Sequence, residues 1–163
     1  MKILVDADSC PRPAREAVLR AARRTGIRAF FVANRGIPGI LGDTAVMELC
    51  PKGEGAADDR MVELARPGDL AVTRDIPLAC RLVEGSIRVM DDRGRVYTQE
   101  NLREYRSLRD FMLNLAENGL IGTRVRTYGR REIKAFADSF DRLLSQLIRE
   151  NTLSAPSPSP PLR

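Results

Sequence analysis

The sequence predicts an α/β fold: a three-layer α/β/α sandwich with a mostly parallel central sheet. Three observations carry this. Short apolar runs, Ile3-Leu4-Val5 first among them, stop abruptly at polar and proline residues, the pattern of buried strands. Stretches of helical spacing follow most of these runs, and strand–helix alternation is the mark of a parallel sheet. At 163 residues, 43% apolar and 30% charged, the chain has the size and composition of one globular domain with a full core.

The elements follow in order. Residues 3–5 form the first strand. Pro11 and Pro13 open a helix, where a missing N–H costs nothing, and Ala14, Ala17, Val18, Ala21 and Ala22 give its apolar stripe up to Gly26. Strands are expected over 27–33 and 44–49, separated by a Gly/Pro-bearing loop over 34–43. A helix spans about 57–65, a Pro67-Gly68-Asp69 turn follows, and a strand covers 70–73. Pro77 lies in the first turn of a helix over 76–84, and residues 86–90 form the next strand. Asp91-Asp92-Arg93-Gly94 reads as a turn into 95–97. Thr98 caps a helix carrying Asn101, Leu102 and Tyr105. A separate helix through Leu108, Phe111, Met112 and Leu115 ends at Gly119, and an amphipathic helix spans about 132–149. The domain is expected to cover 1–150, with 151–163 a disordered Ser/Pro-rich tail.

Histidine is absent, and this excludes a Ser-His-Asp triad, a Cys-His pair, a histidine general base and histidine-ligated metals. Cys10, Cys50 and Cys80 are widely spaced, which argues for a reducing cytoplasm and against a zinc site or disulfide framework. No apolar run is long enough to span a bilayer, strand and helix patterns begin at once without a leader, and no membrane partner is expected. The formal charge is +5, and only Lys2, Lys52 and Lys134 among the 27 basic residues are not Arg. Guanidinium forks match phosphate geometry, which suits a polyanionic partner, although a GC-rich genome also raises Arg content. With three Tyr, five Phe and no Trp, base stacking is not expected to dominate recognition.

The chemistry concentrates in acids. Asp6 and Asp8 follow the first strand, Asp58 and Asp59 open the second helix, and Asp75 lies between the 70–73 strand and its helix. In a parallel sheet the carboxyl ends of the strands share one edge, where such sheets bind ligands, so Asp6, Asp8 and Asp75 can converge. Carboxylates held close together repel, and a hard cation such as Mg²⁺ or Mn²⁺ relieves that. The plainer readings are helix caps for Asp8, Ser9 and Asp75, a helix-dipole role for Asp58 and Asp59, and a hairpin turn for Asp91 and Asp92. Asp69 begins its strand, at the opposite edge, and reads as a turn residue. Cys10 is read as structural, with a helix N-terminus nearby that could lower its pKa.

The motifs Val5-Asp6-Ala7-Asp8-Ser9-Cys10-Pro11, Val32-Ala33-Asn34, Ala57-Asp58, Gly68-Asp69-Leu70 and Thr73-Arg74-Asp75-Ile76-Pro77-Leu78-Ala79 resemble the YaiI/YqxD family of uncharacterised bacterial proteins. The resemblance continues through Arg93-Gly94, Tyr97-Thr98 and Arg109-Asp110-Phe111-Met112, covering about residues 2–145 in order. That family is similar to PIN-like nuclease domains, α/β/α sandwiches in which an acid cluster binds Mg²⁺ or Mn²⁺. The resemblance implies metal ligation by Asp6, Asp58 and Asp75. Asp8 is an added acid in the catalytic set, and Asp91 a candidate fourth acid. Ser9, Cys10, Asn34, Asp59, Thr73 and Arg74 are expected to line the site.

The function expected on this basis is a metal-dependent phosphodiesterase acting on nucleic acid, RNA first. Arg124, Arg126, Arg130, Arg131 and Lys134 are expected to hold the polyanion. Two alternatives stand beside it. One is a haloacid-dehalogenase-type phosphatase with Asp6 as nucleophile, Asp8 as acid and Asp91-Asp92 as the metal pair, though Asp8 is followed by Ser9-Cys10-Pro11 in place of the usual Gly-Thr. The other is a non-catalytic PIN-like RNA-binding or adaptor module.

Overall fold

The computed structural model describes residues 1–119 and 127–153 of the chain. Strands β1 (Ile3–Asp6), β2 (Ala29–Ala33), β3 (Ala45–Leu49), β4 (Leu70–Val72), β5 (Arg88–Met90) and β6 (Val96–Tyr97) form one sheet in the order β3-β2-β1-β4-β5-β6. All neighbouring pairs are parallel except β5–β6. Helices α1 (Arg12–Thr25), α2 (Ala56–Leu64), α3 (Ile76–Glu84), α4 (Gln99–Glu117) and α5 (Arg130–Leu153) cover it. The architecture is α/β, consistent with the expected three layers.

Strand periodicity assigns the layers. Ile3 and Val5 face a core built with Ala14, Val18 and Ala22 of α1 and Phe136, Phe140 and Leu144 of α5. Leu4 faces the opposite core, with Met61 of α2, Leu78 and Leu82 of α3 and Leu102 of α4. Small alanines on the inner face of α1 let it lie close to the sheet. Gly26 ends that helix in the left-handed conformation at φ 73°, its N–H donating to the Ala22 carbonyl.

The strand order reverses between β1 and β4. The chain leaves β1 for β2 on one side and returns through α2 to β4 on the other. Their carboxyl ends therefore bound a crevice, the switch point at which open α/β sheets bind ligands.

Three expectations need correction. The two helices expected over 98–119 are one continuous α4. It opens with a reciprocal Thr98–Asn101 capping box and meets neither Gly nor Pro before Gly119, so nothing breaks it. The strand expected over 86–90 begins at Arg88, because Ser86 turns to φ 62° and the Ile87 N–H closes onto the Leu82 carbonyl at the end of α3. Residues 151–153, assigned to the tail, continue α5. The Asn151 amide donates to the Gly68 and Leu147 carbonyls and holds this last turn against the loop before β4. Residues 154–163, the rest of that tail, lie outside the described residues. No helix among the described residues is long and apolar enough to cross a membrane.

Candidate functional site at the carboxyl edge

Asp6 is the last residue of β1 and has the same parity as Leu4, so it points to the sheet face that α2 and α3 cover. It is only 8% exposed. Its Oδ2 accepts hydrogen bonds from Ser9 Oγ (2.5 Å) and Thr73 Oγ1 (2.9 Å). Thr73 follows β4 directly and is fully enclosed. Its hydroxyl also accepts the Asp75 N–H at 3.0 Å. One threonine thus ties Asp6 to Asp75 across the switch point. Asp75 is the N-cap of α3: its Oδ1 accepts the Leu78 N–H at 2.8 Å, which leaves its Oδ2 without a partner among the described residues.

Asp58 completes this arrangement from the first turn of α2. It accepts no hydrogen bond and makes no salt bridge among the described residues. Its carboxyl is pushed above the ordinary value, first by burial and then by the negative charges of Asp75 and Asp6. Asp6 and Asp75 thus lie close enough to Asp58 for their charges to raise its carboxyl, while Asp8, which the sequence also placed with them, makes other contacts. The capping role of Asp75 is real as well, and the two roles use different oxygens.

Asp8 is placed differently. Its Oδ2 accepts the Asn34 N–H at 2.6 Å and its Oδ1 faces Arg35 Nε at 3.2 Å, so both oxygens tie the loop after β1 to the loop after β2. Asn34 donates its side-chain amide to the Gly53 carbonyl at 3.5 Å, and its Oδ1 is buried without a partner. Asp59 turns outward and pairs with Arg81 at 2.8 Å on the surface between α2 and α3. Ser9 stands on Asp6, and Arg74 extends from the edge with its side chain 57% exposed. Cys10 is the structural residue expected, but the suggested lowering of its pKa is wrong. Burial, reinforced by Asp92 and Asp6, pushes its thiol up to about 12, outweighing Arg15.

The sequence treats Asp91 and Asp92 alike, as a hairpin turn or as the metal pair of the phosphatase alternative, and the structure separates them. Asp91 is the turn residue, its Oδ1 accepting the N–H groups of Arg93 (2.9 Å) and Arg95 (2.8 Å). This occupies one member of the metal pair that the phosphatase alternative requires. Asp92 is buried, lies beside Cys10 and Tyr128, and leaves its Oδ2 without a hydrogen bond, 3.9 Å from Arg74 Nη1. Burial pushes its carboxyl up, more than Arg74 lowers it. Among the described residues the two buried side-chain oxygens without a partner, on Asn34 and Asp92, both lie at the carboxyl ends of strands. Two adjacent acids after a strand were the available signal.

Asp69 lies at the far edge, as expected. It accepts the N–H groups of Lys2 and Arg66 at 2.8 Å and pairs with Lys2 Nζ at 2.5 Å. Of the expected polyanion ligands, Arg124 and Arg126 fall outside the described residues. Arg130, Arg131 and Lys134 are exposed on the first turns of α5, with Lys134 paired to Asp138 at 2.5 Å.

The donor set is oxygen alone, which suits Mg²⁺ or Mn²⁺. Among the described residues no group of three or more acidic or cysteine side chains is placed to hold a metal ion together. Mg²⁺ does not require such a group, because it keeps several waters and binds through one or two carboxylates plus substrate phosphate.

Comparison with known proteins agrees with the sequence motifs. Residues 4–146 match the profile described as Uncharacterized BCR, YaiI/YqxD family. Over 149 residues the chain is 47% identical to a UPF0178 protein of Treponema pallidum, covering 91% of this chain and 84% of that one. A UPF0178 protein of Treponema denticola is 41% identical over 155 residues, with 95% and 99% covered. One from Syntrophobacter fumaroxidans is 43% identical over 152 residues, with 91% and 97% covered. No solved structure matches.

Proposed function

We propose, from the premise that this chain belongs to the YaiI/YqxD family and from the geometry of its carboxyl edge, that it is a metal-dependent phosphodiesterase acting on RNA. One observation carries the reading. Asp58, unpaired among the described residues, is held where two further acids, Asp6 and Asp75, repel its charge at the switch point of a parallel sheet. Such an arrangement costs stability unless a cation or substrate uses it.

Asp6, Asp58 and Asp75 would hold Mg²⁺ or Mn²⁺. A bound divalent ion supplies a water of lowered pKa and a clamp on a phosphoryl oxygen. The chain's own residues supply the rest. Ser9 and Thr73 keep Asp6 Oδ2 fixed, which directs its Oδ1 to the crevice. The α3 cap fixes Asp75 while leaving one oxygen available. Asp8 is a positioning residue that ties the β1 and β2 loops into one rim, and the Asn34 oxygen beside it is buried without a partner.

The test is cleavage of a labelled single-stranded RNA in Mn²⁺ by purified protein. Asp6→Asn and Asp75→Asn, each shown folded by circular dichroism, should abolish cleavage, because the amide keeps the shape and removes the charge that holds a cation. Asp138→Asn, on the outer surface of α5, should cleave normally. Undiminished cleavage by Asp6→Asn refutes a site at this edge. Metal binding without turnover on any nucleic acid would favour the adaptor reading.

A further inference from the structure

A groove of about 370 Å³ opens beside the acid edge, between the β5–β6 turn, the start of α3 and the middle of α4. Arg74, Arg93, Arg95 and Arg109 line it, together with Tyr105 and Met112. Its two carboxylates, Asp91 and Asp92, are buried at 4% and 2% exposure, so the surface it presents is basic. The Arg95 guanidinium lies 4.7 Å from the Tyr105 ring centre, and Tyr105 meets Tyr97 edge-on at 5.8 Å. The cation is thus stacked over one face of the Tyr105 ring at the groove wall.

The remaining wall is apolar and open. Leu108 and Met112 of α4, which line it, are 56% and 45% exposed, and Phe111 and Leu113 are exposed on the same helix outside the groove. At the deep end sits the buried Asp92 Oδ2, without a hydrogen bond and 3.9 Å from Arg74. Arg74 directly precedes Asp75, so the groove leads to the proposed reacting edge.

A partner for this surface needs regularly spaced negative charge for the guanidinium groups and flat apolar faces for Tyr105 and Met112. The carboxylates of an acidic peptide come without flat bases between them, and a second copy of this chain carries a net charge of +5. A single-stranded polynucleotide supplies both, since phosphates pair with arginine forks and unstacked bases lie on aromatic and apolar side chains. We propose that this groove is the track for a single-stranded polynucleotide, with phosphates on Arg74, Arg95 and Arg109 and a base on Tyr105. The proposal rests on the phosphodiesterase reading for the direction of the strand toward Asp6, and it moves the principal polyanion contacts away from the 124–134 segment.

The test is binding, measured in EDTA so that no cleavage intervenes. Fluorescence anisotropy follows a short labelled single-stranded RNA, and DNA of the same sequence, across a salt series. For single strands, log K falls with log salt at about 0.7 per phosphate neutralised, so the Arg74→Ala/Arg95→Ala/Arg109→Ala variant should flatten the slope by about 2. Tyr105→Leu should weaken binding by about tenfold, the loss of one base–aromatic stack. Arg109→Glu guards against misfolding of the triple variant, because its partner is the exposed Asp110 at 3.9 Å, and it should weaken binding on its own.

Wild-type slope and affinity in the triple variant and in Arg109→Glu overturn the proposal. So does loss of slope in Arg130→Ala/Arg131→Ala with none in the triple. Dimerisation of the wild type that these arginine substitutions abolish also overturns it, by assigning the face to a second copy. RNA binding with weak binding of DNA, or equal binding of both, supports the track and identifies the sugar preference. Groove-dependent binding with no cleavage in Mn²⁺ upholds the groove and refutes the phosphodiesterase reading. Asp6-dependent cleavage that the triple variant leaves intact at limiting substrate does the reverse.

Discussion

Thr73→Val removes the one hydroxyl that ties Asp6 to Asp75 while keeping the side chain's size. The Thr73 Oγ1–Asp6 Oδ2 bond, 2.9 Å long and fully buried, ends on a carboxylate. Hydrogen bonds to charged groups contribute about 1.5–3 kcal/mol net. The same substitution leaves the Asp75 N–H, 3.0 Å from that hydroxyl, without its acceptor. A buried orphan costs about 1–3 kcal/mol, and this one is partly buried, so about 1 kcal/mol applies. The added methyl group returns about 0.8 kcal/mol through burial. The net expectation is a loss of about 2–3 kcal/mol, which for a domain of this size lowers Tm by roughly 4–12 °C. Ser9→Ala removes the other bond to the same oxygen, so the double variant should lose more than the sum of the singles, since each donor partly compensates for the other and only the double leaves that oxygen with neither. Equilibrium urea unfolding in EDTA, with the slope m checked for constancy, measures this. A Thr73→Val protein within about 0.5 kcal/mol of wild type, the scale of an ordinary surface substitution, would refute the claim that Thr73 braces the acid pair.

Other outcomes follow from the same structure. Asp58 carries a folded-state pKa above its unfolded value, so the folded chain binds more protons and stability declines as pH rises from about 3.8, the ordinary value, through the raised one. In EDTA, Asp58→Asn should therefore be more stable than wild type at neutral pH, and the two should converge in acid; equal unfolding profiles across pH would contradict this. Gly94 holds φ 87°, and a Cβ there would lie 2.4 Å from the Ala135 carbonyl oxygen of α5. Gly94→Ala should thus cost about 2–4 kcal/mol, combining left-handed strain with a forced shift of α5, and lower Tm measurably. Cys10 and Cys50 are 4% and 7% exposed, and burial pushes both thiols up, whereas Cys80 is partly exposed. Iodoacetamide at mildly alkaline pH should therefore modify Cys80 alone in the folded protein, as read by mass spectrometry.

Much of the acid site is legible in the amino-acid sequence, for reasons particular residues make clear. A strand alternates its side chains, so Asp6 has to share a face with Leu4, and parallel strands have to deliver β1 and β4 to one edge. Asp75, between a strand and a proline-initiated helix, has to sit at that edge too. Asp8 and Asp92 are not legible in the same way. The amide that binds Asp8 comes from Asn34, far away in sequence and brought close only by the pairing of β1 with β2. Which of Asp91 and Asp92 forms the turn depends on two backbone N–H groups that the turn itself positions. The basic groove is hidden because it needs α4 to be one helix packed beside β6, and helical spacing alone allows two. The exposed Leu108–Met112 stripe looks the same in sequence as a buried one.

The proposed function turns on whether acids of the set Asp6, Asp58 and Asp75 hold a divalent cation at the switch point. The direct measurement is anomalous diffraction from a crystal of the wild-type protein soaked in Mn²⁺, with an Asp6→Asn crystal soaked identically. The expected result is an anomalous peak at the β1–β4 switch point, within coordination distance of oxygens from at least two of these acids, and no peak there in Asp6→Asn. Manganese bound only elsewhere, or an undiminished peak at the switch point in Asp6→Asn, would contradict it.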